Sequence, residues 1–308
     1  SNATIVNTNF TNNFASYGGG IYIGGNSSNS QIVNVIFKFN NATFNGGAID
    51  WNATGGKLYN NTFISNYASD FGAALCREAN ATGGGGKNNT FISNHAGIGG
   101  AALGWIDSVG ITIDEYYFYN NIAGIHGGAI FIGENSHNCT IKNSVFVGNN
   151  ATFNPDGVTG FGGAIVCLAN NATVLNSSFT GNTAYEGGAI YVTSLAGNTI
   201  IDGSTFRENV AYVEGGAIGL RASAVSVNNS KFYDNIAGEG GAIYLGGDGI
   251  TNYIASSVFV GNNATEGYGG AINWLASSGT IKDSNFTSNS AIYGGGIALG
   301  LNSANSNL

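Results

Sequence analysis

One sequence unit recurs eleven times along the chain, and this repetition constrains the fold more than any other feature. The unit reads F-x-x-N-x-A, then a few variable residues, then Gly-Gly-Ala-Ile or a close variant. In every copy an Asn follows the Phe by three positions and an Ala follows it by five. The Phe members are Phe10, Phe37, Phe63, Phe91, Phe118, Phe146, Phe179, Phe206, Phe232, Phe259 and Phe286. A fixed period of this length is the sequence signature of a solenoid.

Each repeat predicts short β-strands separated by corners. An alternating segment ends at the Phe, as in Val174 to Phe179, and another follows the paired glycines, as in Ile190 to Val192. Alternation of apolar and variable residues is typical of a strand with one buried face. The first glycine of the pair recurs at steps of 25 to 29 residues, apart from one step of 35. About 27 residues per coil suit three short strands and three corners.

We therefore expect an all-β fold, namely a right-handed parallel β-helix (solenoid) of about eleven coils with three short strands per coil. Residues 1–3 match the remnant of a cleaved tag. Residues 4–308 are expected to form a single β-helix repeat domain, which is a fragment of a longer protein. Because an uncapped solenoid end exposes core and unpaired strand edges, end-to-end self-association is also expected.

Stacked coils place the same repeat position in one column. The Phe side chains are expected to form an internal column of rings, and the Asn side chains an amide ladder at a corner. An aliphatic residue stands five positions before the Phe in ten of the eleven repeats, with Gly86 as the exception. The sixth repeat is longer, and its residues from Thr152 to Gly160 are expected to protrude as a loop. Such a loop is either a binding feature or a tolerated insertion.

Composition and charge exclude two classes of partner. Only 8% of the residues are charged, the net charge is −8, and the nine basic residues are scattered singly. Such a chain is unsuited to binding nucleic acid or an anionic membrane surface. No run of 18 apolar residues exists, so no membrane insertion by this segment is expected. The G-G-x-G-x-D calcium motif is absent, and no cofactor is expected.

Clustered carboxylates are the feature that an enzyme on this scaffold needs. Polysaccharide lyases and hydrolases are also built on parallel β-helices, and their chemistry uses paired acid and base groups. The 17 acidic residues are mostly isolated, and the only adjacent pair is Asp114-Glu115. Strand alternation sends these two side chains to opposite faces. We therefore expect a protein that is not an enzyme, with a polysaccharide lyase or hydrolase as the alternative.

Tyrosines at outward positions are candidate contact groups for a glycan or protein ligand. Three follow the isoleucine of Gly-Gly-Ala-Ile, and three others flank Phe118. The candidates are Tyr22, Tyr191, Tyr244, Tyr116, Tyr117 and Tyr119. Scattered surface tyrosines are also common without any function, so no ligand-binding residue is assigned.

Three glutamates precede the paired glycines in consecutive repeats: Glu186, Glu214 and Glu239. Stacked coils would align their carboxylates about 4.8 Å apart along one edge. Like charges at this spacing raise one another's pKa or recruit a cation, and oxygen ligands of this kind suit Ca²⁺. This edge is the one candidate metal site in the sequence. The alternative is that the side chains splay apart into water.

The combination of F-x-x-N with G-G-A-(I/L/V) resembles the polymorphic outer membrane protein repeats of bacterial autotransporter adhesins. It is equally similar to the repeats of Asn-rich adhesin-like surface proteins of methanogenic archaea. The resemblance covers Ile5 to Leu299, although Gly72-Ala73-Ala74 and Gly100-Ala101-Ala102 depart from the Gly-Gly pattern. Because the shared residues are structural, no binding residue carries over.

The resemblance implies an extracellular, cell-surface location and a function in adhesion to a surface glycan or protein of another cell. A structural stalk without any ligand is a further alternative. Fourteen N-x-S/T sequons beyond the tag are compatible with a glycoprotein, although an Asn-rich chain generates such sequons by chance.

Overall fold

The chain folds into a parallel β-helix. The computed structural model describes residues 2–78, 81–152, 159–221, 224–247, 252–276 and 278–300, together with the backbone of 305–307. Within these ranges the regular structure is entirely β-strand, and each strand pairs in parallel with its counterpart in the neighbouring coil. No helix long and apolar enough to cross a membrane occurs in the described ranges. The predicted all-β solenoid is confirmed, whereas residues 153–158 of the predicted loop lie outside the described residues.

Four sheets run along the solenoid, and the first two carry the segments that lead up to each repeat's Phe. The described strands of the first sheet are Thr4–Val6, Gln31–Val33, Lys57–Tyr59, Gly85–Lys87, Thr112–Asp114, Thr140–Lys142, Thr173–Leu175, Ile200–Asp202, Ser226–Asn228, Asn252–Ala255, Ser278–Lys282 and Asn305–Asn307. Those of the second sheet are Asn9–Thr11, Ile36–Lys38, Thr62–Ile64, Thr90–Ile92, Tyr117–Tyr119, Val145–Val147, Ser178–Thr180, Thr205–Arg207, Lys231–Tyr233, Val258–Val260 and Asn285–Thr287.

The other two sheets carry the N-x-A segment and the strand after the paired glycines. The described strands of the third sheet are Phe14–Ala15, Asn41–Ala42, Tyr67–Ala68, His95–Ala96, Ile122–Ala123, Asn150–Ala151, Thr183–Glu186, Val210–Glu214, Ile236–Ala237 and Asn263–Ala264. Those of the fourth sheet are Ile21–Ile23, Ile49–Trp51, Leu75–Arg77, Leu103–Trp105, Ile130–Ile132, Ile165–Cys167, Ile190–Val192, Ile218–Leu220, Ile243–Leu245, Ile272–Trp274 and Ile297–Leu299.

A coil therefore contains three strands of about three residues and a shorter strand in the third sheet, where the repeat pattern predicts only a corner. The N-x-A segment is extended and pairs in register from coil to coil, as Tyr67 with His95 and Ala68 with Ala96. Most of these strands are two residues long, so they carry no detectable alternation. Their alanines are buried from Ala42 to Ala264, whereas Ala15 in the first coil is partly buried.

The Phe side chains form the predicted column inside the solenoid. Phe206 is fully buried and stacks between Phe179 and Phe232, with ring centroids 4.8 Å and 4.9 Å away. Adjacent rings are nearly parallel along the whole column, and their separations run from 4.5 Å to 5.1 Å. Offset stacking at these distances adds to the free energy gained by burying the rings.

The Asn three positions after each Phe forms the predicted amide ladder. In Asn209, both the backbone N–H and the side-chain amide donate to Oδ1 of Asn235, at 3.1 Å and 3.0 Å. The same side-chain amide donates to the backbone carbonyl of Phe179 at 3.0 Å. One buried amide thus satisfies backbone groups of the corner in two coils, which explains why Asn recurs without exception.

A second ladder lies at the corner between the first and second sheets, two positions before the Phe. Here Ser204 donates its backbone N–H to Oγ of Ser230, and Ser177 does the same to Ser204, both at 3.2 Å. Asn61 and Asn89 fill this position in earlier coils and are bonded in the same manner. This position is Ser in the last six repeats, Asn in two and another residue in the first two and the fifth, so it does not recur in every copy as the Asn after the Phe does.

The paired glycines are required by the backbone. Gly187 has φ +64°, and a Cβ there would lie 2.4 Å from the carbonyl oxygen of Ile190. A Cβ on Gly188 would lie 2.1 Å from the carbonyl oxygen of Gly216 in the next coil. Both contacts involve backbone that cannot move aside, so the second glycine allows two coils to approach at this corner.

A cation and a tyrosine interrupt the apolar interior near the third and fourth coils. Arg77 is 1% exposed, donates from Nη2 to the carbonyl of Gly56 at 2.9 Å, and stacks on the ring of Trp51. Tyr116 is also buried, which corrects its assignment as an outward tyrosine. A Cβ on Gly86 would lie 2.7 Å from the hydroxyl of Tyr116. The missing aliphatic residue at position 86 is therefore replaced by the tyrosine ring.

Candidate functional site

The outer face of the fourth sheet forms a groove made of three columns. We name them the leading column (the residue before the paired glycines), the central column (the middle residue of each strand) and the trailing column (the residue after each strand). The leading column is Tyr17, Asn45, Phe71, Gly99, His126, Phe161, Glu186, Glu214, Glu239, Tyr268 and Tyr293. The central column is Tyr22, Asp50, Cys76, Gly104, Phe131, Val166, Tyr191, Gly219, Tyr244, Asn273 and Ala298. The trailing column is Gly24, Asn52, Glu78, Ile106, Gly133, Leu168, Thr193, Arg221, Gly246, Leu275 and Gly300.

Most of the central column is buried although it points away from the solenoid interior. Tyr191 is 9% and Tyr244 is 5% exposed, while Tyr22 is 59% exposed. The pattern of strand alternation predicts solvent exposure for all three, and this prediction is wrong for two of them. The side chains of the leading and trailing columns pack against the central column, as the rings of Phe161 and Tyr191 do at 4.9 Å. Tyr117 and Tyr119, on the second sheet, are partly buried.

The middle of the groove is closed by apolar side chains. Phe131, Val166 and Tyr191 form a buried cluster on the outside of the sheet, separate from the solenoid core. Four partly buried side chains from the flanking columns pack against it, namely Phe71, Ile106, Phe161 and Leu168. Variable residues at the outward position thus conceal a second, external core, which the repeat pattern alone does not distinguish from solvent-facing residues.

A pocket of about 410 Å³ opens at the end of the groove formed by the first coils. Its walls combine aromatic rings, amides and carboxylates. The lining residues are Tyr17, Tyr22, Asn45, Asp50, Asn52, Glu78, Ile106 and Asp107. We name it the acidic pocket. It brings together three carboxylates that are dispersed in the sequence, and only the register of the coils makes them neighbours.

Asp50 lies on the floor of the acidic pocket and is 0% exposed. Neither of its carboxylate oxygens makes a hydrogen bond of normal geometry within the described structure. The backbone amide of Trp51 interacts with the carboxyl group of Asp50 and lowers its pKa, but the contact does not have the geometry of a normal hydrogen bond. Burial, reinforced by the charge of Glu78, raises the pKa of Asp50 to about 7.

Glu78 is held in place at the pocket wall by two amides. Asn45 donates from Nδ2 to Oε1 of Glu78 at 2.6 Å, and Asn52 donates to Oε2 at 3.5 Å. The Oδ1 atom of Asn45 accepts from the backbone N–H of Phe71 at 3.1 Å, which fixes the orientation of that amide. Glu78 is therefore oriented by the chain, whereas Asp50 is not.

The three glutamates singled out in the sequence lie at the far end of the leading column. Glu186 is in register with Glu214, and Glu214 with Glu239. Arg221 donates from Nη2 to the carboxylates of both Glu186 and Glu214, and Glu239 accepts from Asn273 at 2.8 Å. Burial raises the pKa of Glu214, while Arg221 opposes this shift. The positive charge that neutralises two of these carboxylates thus comes from the chain itself.

In the described ranges, no group of three or more His, Cys, Asp or Glu side chains has an arrangement that could hold a metal ion. The Arg221 network also contains two tyrosines. The ring of Tyr244 stacks on the guanidinium of Arg221, and Tyr191 interacts with both Arg221 and Glu186. The charged groups of the Arg221 network bond to one another, whereas the carboxyl group of Asp50 makes no hydrogen bond of normal geometry.

Comparison with known proteins supports the resemblance based on the repeats. The Chlamydia polymorphic membrane protein (Chlamydia_PMP) repeat matches residues 176–193. This segment contains Phe179, Asn182 and the glycine pair Gly187-Gly188. The prediction that the repeats are of the polymorphic membrane protein type is confirmed.

Two curated relatives match parts of the chain. The metabotropic glutamate receptor-like protein R of Dictyostelium discoideum is 33% identical over 153 residues, which are 49% of this chain and 9% of that protein. The probable outer membrane protein pmp6 of Chlamydia pneumoniae is 37% identical over 145 residues, which are 39% of this chain and 11% of that protein. The chain thus spans about a tenth of the length of the curated relatives it matches.

Solved structures share the fold at low sequence identity. The Streptococcus pneumoniae surface protein and adhesin PfbA superimposes with a TM-score of 0.57 at 14% identity, covering 99% of this chain and 91% of PfbA. An alginate lyase from Paenibacillus sp. str. FPU-7 superimposes with a TM-score of 0.50 at 12% identity, covering 94% of this chain and 99% of the lyase. Identities this low show a common fold alone, since adhesins and lyases use the same solenoid.

Proposed function

We propose that this chain is an adhesin-like β-helix segment at the cell surface, and that it binds a glycan of another cell in the acidic pocket. The observation that carries the proposal is the composition of the pocket. Two tyrosine rings, two asparagine amides and three carboxylates surround about 410 Å³ on a rigid sheet. Sugars are bound by such mixed surfaces, in which rings cover the apolar faces of the sugar and polar groups bond its hydroxyls.

The relatives support the cell-surface part of the proposal. One solved structure of this fold is described as a surface protein and adhesin, and one curated relative as a probable outer membrane protein. The net charge of −8 and the Asn-rich sequence suit an uncharged or cationic polar ligand better than nucleic acid. On this proposal the segment is extracellular and its partner is a surface glycan.

The test is a glycan array followed by adhesion of protein-coated beads to cells. Tyr22→Ala is the informative variant, because Tyr22 is 59% exposed and lines the pocket, so its loss removes a contact without opening the core. Tyr119→Ala is the matched control on the second sheet, away from the pocket. We expect Tyr22→Ala to lose most of the binding and Tyr119→Ala to retain it. Equal binding by both variants would place the ligand elsewhere on the chain, and failure of the wild type to bind any glycan or cell would leave the segment as a stalk.

The pairing of Asp50 with Glu78 favours a second candidate function, hydrolysis or elimination on a polysaccharide. A buried carboxyl group whose pKa is raised to about 7 can act as a general acid, and Glu78 supplies the second carboxyl group that such chemistry needs. Incubation with polysaccharides, followed by assay of new reducing ends and unsaturated products, separates the two functions. Product formation that Asp50→Asn abolishes would replace the binding proposal by an enzymatic one.

A further inference from the structure

We propose that Asp50 and Glu78 form a subsite for a protonated amino group, so that the glycan bound in the acidic pocket carries a free amino sugar. This inference rests on the proposed glycan binding and adds the chemical class of the ligand. It follows from the hydrogen bonding, the charged groups and the aromatic rings of the pocket.

Asp50 has unused hydrogen-bond acceptors in a buried position. Its side chain is 0% exposed, and neither oxygen makes a hydrogen bond of normal geometry in the described structure, the backbone amide of Trp51 being the one group that interacts with it. A buried carboxylate without donors is costly, and the large majority of buried polar groups are paired. A ligand that brings N–H donors into the pocket would satisfy these oxygens. Because Asp50 is fully covered, a ligand reaches it only if a neighbouring side chain moves, and Tyr22, its register partner in the adjacent strand, is 59% exposed and lines the pocket.

The described lining of the pocket carries acidic side chains and no basic ones. Asp50, Glu78 and Asp107 line it, and its described lining contains no Lys, Arg or His. Arg77 is next to Glu78 in the chain, but strand alternation turns it into the solenoid interior, where it bonds the carbonyl of Gly56. No basic side chain of the described lining complements these acids, so a cationic ligand can supply the positive charge.

Farther along the same groove, in contrast, an arginine of the chain neutralises two acidic side chains. Glu186 and Glu214 also lie close together on the outer face, and there Arg221 of the trailing column bonds both. Glu78 occupies the trailing column beside Asp50, where an arginine would be needed to do the same. Acids are thus neutralised internally at one end of the groove and left for a ligand at the other.

The donor set favours an ammonium group over a metal ion. Both neighbouring amides present N–H groups to Glu78, and Oδ1 of Asn45 is already bonded to the backbone of Phe71. The amide oxygen of Asn45 is thus already engaged, and no group of three or more His, Cys, Asp or Glu side chains in the described ranges is arranged to hold a cation such as Ca²⁺, which takes six to eight oxygen ligands. The rings of Tyr17 and Tyr22 line the same pocket and can attract a cation through their faces. An alkylammonium group fits carboxylates and rings together.

The test uses three oligosaccharides of one β-1,4-linked backbone that differ only at carbon 2. These are the hexamer of glucosamine, the hexamer of N-acetylglucosamine and cellohexaose, each titrated calorimetrically at pH 6.5. We expect the glucosamine hexamer to bind at least tenfold more tightly than the other two. Asp50→Asn should remove this preference, and Glu78→Gln should weaken it. Glu266→Gln changes the net charge equally at an exposed site and is the matched control.

Each alternative outcome has a defined reading. Equal binding of all three oligosaccharides, unchanged in Asp50→Asn, would overturn the amino-sugar subsite and leave glycan binding intact. Failure of all three would overturn the subsite too, and the glycan array would then decide the proposed function separately. A rise in melting temperature with Ca²⁺ that Asp50→Asn abolishes, without preference for the glucosamine hexamer, would assign the subsite to a metal. Circular dichroism of Asp50→Asn verifies that the variant is folded.

Discussion

Arg221 and Glu214, seven residues apart, form an ion pair across the groove on the outer face of the fourth sheet. The same guanidinium reaches Glu186 at 3.5 Å and stacks on the ring of Tyr244. The carboxylates are only 14% and 15% exposed, so this network holds two like charges together in a poorly solvated place. Its energetic role can be separated from that of ordinary surface pairs.

We predict that Arg221→Gln lowers the free energy of unfolding by about 1–3 kcal/mol. Removing one partner of a buried ion pair costs more than that, but Arg221 is 33% exposed, and solvent screens part of the effect. The matched control is Arg207→Gln, whose pair with Asp234 is 3.6 Å long and about half exposed on both sides. The control should cost under about 0.5 kcal/mol in urea unfolding. Equal losses in the two variants would show that the Arg221 network contributes no more than a surface pair.

The Ca²⁺ site at Glu186, Glu214 and Glu239 stays a prediction, and Arg221 provides a way to test it. Because Arg221 already neutralises two of the carboxylates, a cation is expected to bind the wild type weakly. In Arg221→Gln the three aligned acids lose that charge, and millimolar Ca²⁺ should raise the melting temperature more than in the wild type. Glu214→Gln combined with Arg221→Gln should cancel the gain. An identical Ca²⁺ response in all three proteins would exclude this edge as the site.

The pKa of Asp50 predicts a stability that decreases as the pH rises. The pKa is raised from its usual value of 3.8 to about 7 because the group is buried beside Glu78. The folded chain therefore holds this proton more tightly than the unfolded chain, and the stabilisation is complete below pH 4 and lost as the pH passes through about 7. The upper limit of this stabilisation is on the order of 4 kcal/mol.

The difference between wild type and Asp50→Asn isolates this group from the other acids around it, namely Glu78, Asp107 and Asp70. Unfolding midpoints are measured from pH 4 to pH 8.5. The wild type should lose stability relative to the variant across this range. A constant difference would mean that Asp50 is ionised throughout, with a partner that the free chain supplies.

The Asn ladder predicts that substitution of two neighbouring asparagines changes the free energy of unfolding by very different amounts. Asn40 is fully buried and accepts from the backbone N–H and the amide of Asn13, while its own amide bonds Asn66 and the carbonyl of Phe10. Asn40→Ala leaves several donors and acceptors without partners and should cost about 2–4 kcal/mol. Asn41→Ala, at the exposed next position, should change stability by less than about 0.5 kcal/mol. Unfolding of the two variants side by side makes the comparison, and similar costs would contradict the ladder as a source of stability.

The repeat motif predicts the solenoid because its conserved positions are the ones that stack. Phe206 and Asn209 could be placed from the sequence, since each occupies a column where one residue type is the only good fit. The groove could not be placed in this way. Asp50 and Glu78 come from different coils and different columns, and neither column holds one residue type from coil to coil. What makes them a site is the register between coils together with the absence of a neighbouring cation among the described lining residues.

The sequence pattern also did not predict which side chains on the outer face of the fourth sheet are exposed to solvent. Alternation correctly directs Tyr191 and Tyr244 away from the solenoid core, but it carries no information about the columns that cover them. Arg221, the central residue of the covering network, occupies a variable position and has no sequence signal of its own. A search for opposite charges at the flanks of consecutive Gly-Gly-Ala-Ile strands would have identified it beside Glu214.

Arg77 is a cation in the solenoid core, and no carboxylate partner is described for it. Its Nη2 atom bonds the carbonyl of Gly56, its Nη1 atom has no partner, and burial lowers the pKa of the group to about 10. Equivalent positions in other coils hold Val192, Leu220 and Leu245. Replacing a poorly compensated buried charge by an apolar residue of similar volume is often neutral or stabilising.

We therefore expect Arg77→Leu to keep or raise the melting temperature, by up to several degrees. Arg77→Ala is the matched control, since it also removes the charge but leaves a cavity beside Trp51 and Tyr116, and it should cost about 2–4 kcal/mol. Thermal unfolding by circular dichroism compares the three proteins. If Arg77→Leu is as destabilising as Arg77→Ala, the stacking on Trp51 and the bond to Gly56 outweigh the cost of burying the charge, and the cation is a stabilising part of the core.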